Sequence, residues 1–172
     1  MKFSARFLEL IIVTAVLLID QITKLIIQQT MLPSQSIEVI KGFFNITFVL
    51  NKGAAFGIFS TLSASIRKPF FAIISIIALA LIIYLIATSD EKNKFQRASF
   101  GMILAGALGN FIDRIFLGEV RDFLDFYWNS YHWPAFNIAD TAICIGTGIL
   151  IVNIFFAKGP IENETNNENT AS

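Results

Sequence analysis

The residues best suited to chemistry in this chain are carboxylates set in apolar surroundings. Asp140 lies near the front of residues 134–156, a stretch otherwise apolar enough to span a membrane. An aspartate at the centre of such a helix costs roughly 3 kcal/mol, and less toward the interface, so the charge needs a use or a partner. Asp122 and Asp125 stand just upstream. Two carboxylates held close resist double ionisation and share one proton near neutral pH. The ionised member can take a proton from water while the protonated one polarises a peptide carbonyl, as in an aspartic protease. On spacing alone, Asp140 pairs with either Asp122 or Asp125.

Other polar residues fall where they could join that pair. Asp20 and Lys24 are one helical turn apart, acid first, the favoured order. Asn110 and Arg114 share a helix face by the same spacing, and Asn137 shares one with Asp140. Asn51 comes from a long loop. All these positions lie at helix ends on one side of the membrane, which is consistent with a single cavity at its surface. A competing reading makes the charges register pins, with Asp140 paired to Arg114, Asp20 to Lys24, and Asp113 to its neighbour Arg114.

Other chemistries fit less well. Cys144 is the lone cysteine and reads as a small core residue of an apolar helix, and it excludes an internal disulfide. His132, the lone histidine, stands among aromatics in a loop that reads as interfacial, which disfavours a Ser–His–Asp triad. There is no His/Cys cluster for zinc and no Gly-rich phosphate loop, so neither metal nor cofactor is expected. No serine lies obviously beside Lys24 for a Ser–Lys dyad.

The elements that must position these groups are membrane helices. Apolar residues make up 55% of the chain, and 18 of its 172 residues are Phe. Four runs have spanning length: about 7–27, 69–88, 98–116 and 137–157. The expected fold is an all-α membrane bundle of four transmembrane helices, one domain over 1–161, with a small β-sheet in the first loop. That β region covers about 37–59, because Phe44, Ile46, Phe48 and Leu50 alternate with Asn45, Thr47 and Val49. Asn51-Lys52-Gly53 supplies turn chemistry after it, and hairpin geometry explains Gly53 as well as a hinge would. The 117–136 loop, with Tyr127, Trp128, Tyr131 and Trp133, reads as an aromatic belt. Gly101, Ala105 and Gly109, and Ala142 with Gly146, repeat every four residues, as in ordinary close helix packing in lipid. The polar tail, 162–172, is expected to be disordered.

The first helix reads as retained, since Asp20 to Lys24 interrupts it where a cleavage site would follow. The 13 Lys and Arg divide six against seven between the two sides, so charge does not fix orientation, and zero net charge leaves no nucleic-acid footprint. Two rival classes are a proton-coupled transporter and a membrane scaffold that uses its charges as pins. The uncharged second span argues against the transporter.

Taken in order, five short stretches resemble the bacterial lipoprotein signal peptidase (signal peptidase II) family. They are residues 20–24 (DQITK), 51–57 (NKGAAFG), 106–110 (GALGN) with Asp113-Arg114, 120–123 (VRDF) and 136–140 (FNIAD). Ala105 departs from a frequent glycine. The resemblance implies an intramembrane aspartic endopeptidase without metal or cofactor, with Asp122 and Asp140 as the catalytic pair and Asp125 a neighbour. It implies that Asn51, Gly53, Asn110, Arg114 and Asn137 bind substrate or hold the pair, and that Asp20 and Lys24 support it from the first helix. The implied substrate is a prolipoprotein with a diacylglyceryl-cysteine, cut just before that cysteine. A monomer is expected in the plasma (inner) membrane among its lipids, with both termini cytoplasmic, and the β region a cradle at the extracytoplasmic face beside the active site.

Overall fold

A computed structural model describes residues 5–53, 59, 63–89 and 93–157. In chain order the elements are α1 (Ala5–Thr30), β1 (Ser36–Ile40), β2 (Phe44–Asn51), α2 (Ala64–Thr88), α3 (Lys94–Phe116), β3 (Val120–Trp128), β4 (Tyr131–His132) and α4 (Ile138–Ala157). Each of the four apolar runs forms a helix. Three of them, α1, α2 and α4, are long and apolar enough to cross a membrane. The third run forms α3, whose ends carry Lys94, Arg97, Asp113 and Arg114.

Helix α3 is the centre of the bundle and packs on α1, α2 and α4. Small residues make this possible. A methyl group on Gly106 would strike the backbone carbonyl of Ala139 in α4, and one on Gly109 would strike the Asp20 carboxylate of α1. Ala105, just before them, is fully buried, so its methyl group is accommodated. The outward faces of α1, α2 and α4 carry exposed Leu, Ile, Val and Phe, as a lipid-facing surface requires.

The four strands form one antiparallel sheet in the order β1-β2-β3-β4. The alternating stretch at 44–50 is indeed a strand, and Val49 and Leu50 lie opposite Asp122 and Arg121 of β3. The expected β region at 54–58 lies outside the described residues. The 117–136 segment corrects the reading of an aromatic loop, since half of it is β3 and β4. Val120 to Phe123 are all buried, so the first half of β3 has no solvent face and shows no two-residue alternation. Helix α3 stops at Gly118, whose φ of +76° suits glycine and turns the chain straight into β3. Ile27, Met31, Phe48 and Phe123 form the apolar core that seats the sheet on the end of α1.

Candidate active site

Asp140 belongs to the first turn of α4. Its backbone N–H donates to Asn137 Oδ1 at 3.0 Å, and its own Oδ2 accepts the Asn137 backbone N–H at 3.2 Å. This reciprocal exchange is a capping box, and it places a carboxylate at the positive end of the helix dipole. The Ala139 N–H of the same turn donates to Asp20 Oδ1 at 2.9 Å, so α1 helps to cap α4. The puzzling charge therefore stands at a helix start, where backbone donors are otherwise unpaired.

Asp122 approaches from β3 and is almost fully buried, with 2% of its surface exposed. Asn137 Nδ2 donates to its Oδ1 at 2.7 Å, and Asn51 Nδ2 donates to its Oδ2 at 2.9 Å. Asn110 closes the circuit: its Nδ2 donates to Asp140 Oδ1 at 2.7 Å while its Oδ1 accepts from Asn137 Nδ2 at 3.1 Å. The two carboxylates are thus joined through two side-chain amides. Burial pushes the Asp122 carboxyl up to about 7, and the charge of Asp140 adds to that rise. The amides of Asn51 and Asn137 and the charge of Lys24 pull it back. Such a group holds a proton in the neutral range, as a proton-sharing acid must.

Behind this circuit lies a buried ionic cluster. Lys24 is fully buried, with Nζ 2.9 Å from Asp20, 3.6 Å from Asp113 and 3.1 Å from Asn110 Oδ1. Arg121 Nη2 bonds Asp113 Oδ1 at 2.6 Å, while its Nε and its backbone N–H both reach Asp113 Oδ2. Two acids and two bases leave the cluster neutral, and their shared hydrogen bonds offset the cost of burying them.

A cavity of about 780 Å³ opens over the two carboxylates. Asn51, Gly53, Asn110, Arg114, Asp122 and Asp140 all line it. Gly53 is held by its N–H on Asn51 Oδ1 at 2.9 Å, a local turn that keeps Asn51 aimed at Asp122. Trp133 to Phe136 form one wall, and Thr141, Cys144 and Ile145 of α4 form another, so most of the surface is apolar. Cys144 is exposed, which corrects its reading as a core residue.

Of the residues singled out in the sequence, Asn137 meets both acids, Asn110 meets Asp140 and Asn137, Asn51 meets Asp122, and Lys24 reaches the circuit through Asn110. The ion pairs divide. Asp20 pairs with Lys24, but among the described residues neither Asp140 nor Asp113 pairs with Arg114. Arg114 instead donates to Ser75 Oγ at 3.3 Å and lies 5.5 Å over the Phe71 ring. Asp125 is spent elsewhere, accepting from Asn45 Nδ2 at 3.0 Å and meeting His132 Nδ1 at 2.9 Å. In a strand, residues three apart point to opposite faces, and that spacing alone could have separated Asp122 from Asp125. Arg121 and Gln21 are further participants that carried no signal beyond sharing motifs with Asp122 and Asp20. Among the described residues, no group of three or more His, Cys, Asp or Glu is placed to hold a metal ion.

Comparison with known proteins places this arrangement. The sequence profile of the family described as Signal peptidase (SPase) II matches residues 12–156. The lipoprotein signal peptidase of Maridesulfovibrio salexigens is 46% identical over 152 residues, covering 88% of this chain and 97% of that one. That of Geobacter sulfurreducens is 47% identical over 154 residues, covering 90% and 94%. A solved bacterial membrane enzyme, 38% identical, superposes with a TM-score of 0.79 over 92% of this chain and 94% of its own.

Proposed function

The chain belongs to the signal peptidase II family, which cleaves signal peptides from prolipoproteins, and we propose that Asp122 and Asp140 are the acids with which it does so. The observation that carries the assignment is their joint placement in one cavity, linked through Asn137 and Asn110, with Asp122 held near pH 7. Asp122 holds the proton and polarises the scissile carbonyl. Asp140, fixed at the positive end of α4, accepts a proton from the attacking water. Collapse of the tetrahedral intermediate breaks the C–N bond, and the proton taken from water passes to the leaving nitrogen. Asn51, Asn110 and Asn137 keep the acids aimed. Arg114, with no carboxylate partner among the described residues, faces the cavity ready for a substrate carbonyl.

The substrate is a prolipoprotein whose cysteine carries diacylglycerol, cut just before that cysteine. The apolar cavity walls suit acyl chains that remain in lipid, and this tether replaces ordering that the enzyme would otherwise supply. The 23-residue α3 supports a fourth span, since it packs between helices of spanning length and its charges lie at its ends. Four spans put both termini on one side and the acids on the other; by the family resemblance the termini are cytoplasmic and the acids lie at the outer face of the plasma membrane. The protein acts as a monomer without metal.

The deciding experiment incubates purified protein in lipid with diacylglyceryl-modified and unmodified precursor. Cleavage of the modified form alone is expected, and Asp122→Asn or Asp140→Asn abolishes it while the protein still inserts. Full activity in either variant removes that residue from the mechanism.

A further inference from the structure

Arg121 sits beside Asp122 in sequence but points away from the cavity, as neighbouring strand residues do. It is 5% exposed. Nearly all of its donors are engaged. The backbone N–H and Nε reach Asp113 Oδ2 at 3.0 and 3.1 Å, and Nη2 reaches Asp113 Oδ1 at 2.6 Å. Nη2 also donates to Gln21 Oε1 at 3.1 Å, and Nη1 to Gln28 Oε1 at 2.9 Å. One side chain therefore ties the start of β3 to the end of α3 and to two turns of α1. Its carbonyl accepts from Asn137 Nδ2 at 3.4 Å, the same amide that bonds Asp122 Oδ1.

We propose that Arg121 is the positioning residue for Asp122: its two-pronged grip on Asp113, braced by Gln21 and Gln28, holds β3 where Asp122 meets Asn137 and the start of α4. The other restraints on the backbone around Asp122 are main-chain hydrogen bonds. On one side β3 pairs with β2, whose register is broken between Ile46 and Val49 just before the pairing with Asp122. On the other, the Phe123 and Leu124 N–H groups donate to the Phe136 carbonyl at 3.0 and 2.8 Å, and β4 pairs with β3 only as far in as Tyr127. A planar guanidinium that fits a carboxylate with two parallel bonds resists sliding in a way that a single point charge cannot. The inference rests on the assignment of Asp122 to the acid pair.

The test compares steady-state cleavage of a diacylglyceryl-modified precursor by wild type, Arg121→Met, Arg121→Lys and Asp122→Asn in lipid, with rates expressed per folded enzyme. Displacement of an acid by about 1 Å lowers turnover by roughly a hundredfold, so Arg121→Met is expected to lose ten- to a hundredfold in kcat with KM within about threefold. Arg121→Lys, which retains charge without the fork, is expected between the two. A kcat for Arg121→Met within about threefold of wild type, or a loss confined to KM, overturns the proposal. If Arg121→Met yields no folded protein, Arg121→Lys decides on the same criteria: a lowered kcat at unchanged KM supports it, and wild-type kcat overturns it. Asp122→Asn separates the two levels of the argument. An inactive Asp122→Asn beside a fully active Arg121→Met refutes the role of Arg121 alone, whereas an active Asp122→Asn refutes the acid pair itself.

Discussion

Asn137 Nδ2 lies 2.7 Å from Asp122 Oδ1, while the Oδ1 of the same asparagine accepts the Asp140 backbone N–H and its backbone N–H donates in return to Asp140 Oδ2. One residue thus sets the start of a helix and the placement of both acids. The two duties can be separated, because serine caps a helix as well as asparagine does but is too short to bridge to Asp122. Asn137→Ser is expected to keep its thermal midpoint near that of wild type, a cap loss costing only about 1 kcal/mol where it occurs at all. Its kcat should fall at least about tenfold, since proton-transfer groups out of place lose that much or more. Thermal unfolding in detergent and precursor cleavage check the two halves separately.

Asp122 makes the enzyme sensitive to alkali. Its folded-state carboxyl titrates at about 7 against an ordinary 3.8. Activity that needs the shared proton should decline above about pH 7, approaching tenfold per pH unit where one proton is lost. The same group acts on stability. Between 3.8 and about 7 the folded state holds a proton that the unfolded state has released, so stability falls as pH rises through that interval. Asp122→Asn removes this slope and is expected to be more stable than wild type at about pH 8, with little difference near pH 4. Melting curves across that range test it.

Lys24 is buried among Asp20, Asp113 and Asn110, and its loss leaves Asp20 without a cation, while Asp113 keeps Arg121. Lys24→Ala is expected to cost about 3–5 kcal/mol, the usual penalty for breaking a buried pair. The effect should appear mainly as reduced yield and a lower melting temperature, while turnover per folded molecule falls less. A large loss of turnover at unchanged stability would contradict a supporting role.

Two glycines should respond oppositely to the same substitution. A methyl group on Gly106 collides with the carbonyl of Ala139, one residue before Asp140, so Gly106→Ala must push α3 and α4 apart. Overpacking of this kind costs roughly 1–3 kcal/mol, and activity should fall with it. A methyl group on Gly148 meets nothing within 4 Å. Gly148→Ala is expected to preserve activity and to stabilise α4 by up to about 1 kcal/mol, the propensity difference between the two residues.

What the sequence determined by itself was whatever repeats along one element. The apolar runs became helices because each presents a face to lipid that must be apolar along its whole length. The pairing of Asp20 with Lys24 was legible because four residues make one helical turn, and the shared face of Asn137 and Asp140 because three residues do nearly the same. Residues 44–50 showed as a strand because Phe44, Ile46, Phe48 and Leu50 alternate with Asn45, Thr47 and Val49. Only the tertiary structure decided how elements meet. It turned Asp122 into the cavity and Asp125 out of it, gave Asp113 to Arg121 rather than to the adjacent Arg114, and opened Cys144 to the cavity wall. Strand β3 escaped notice because burial on both faces over Val120 to Phe123 erases alternation there. The physical reason is common to all of these: periodicity reports which face of an element is buried, whereas ion pairs and proton-sharing acids depend on distances between elements, which close only when the helices pack.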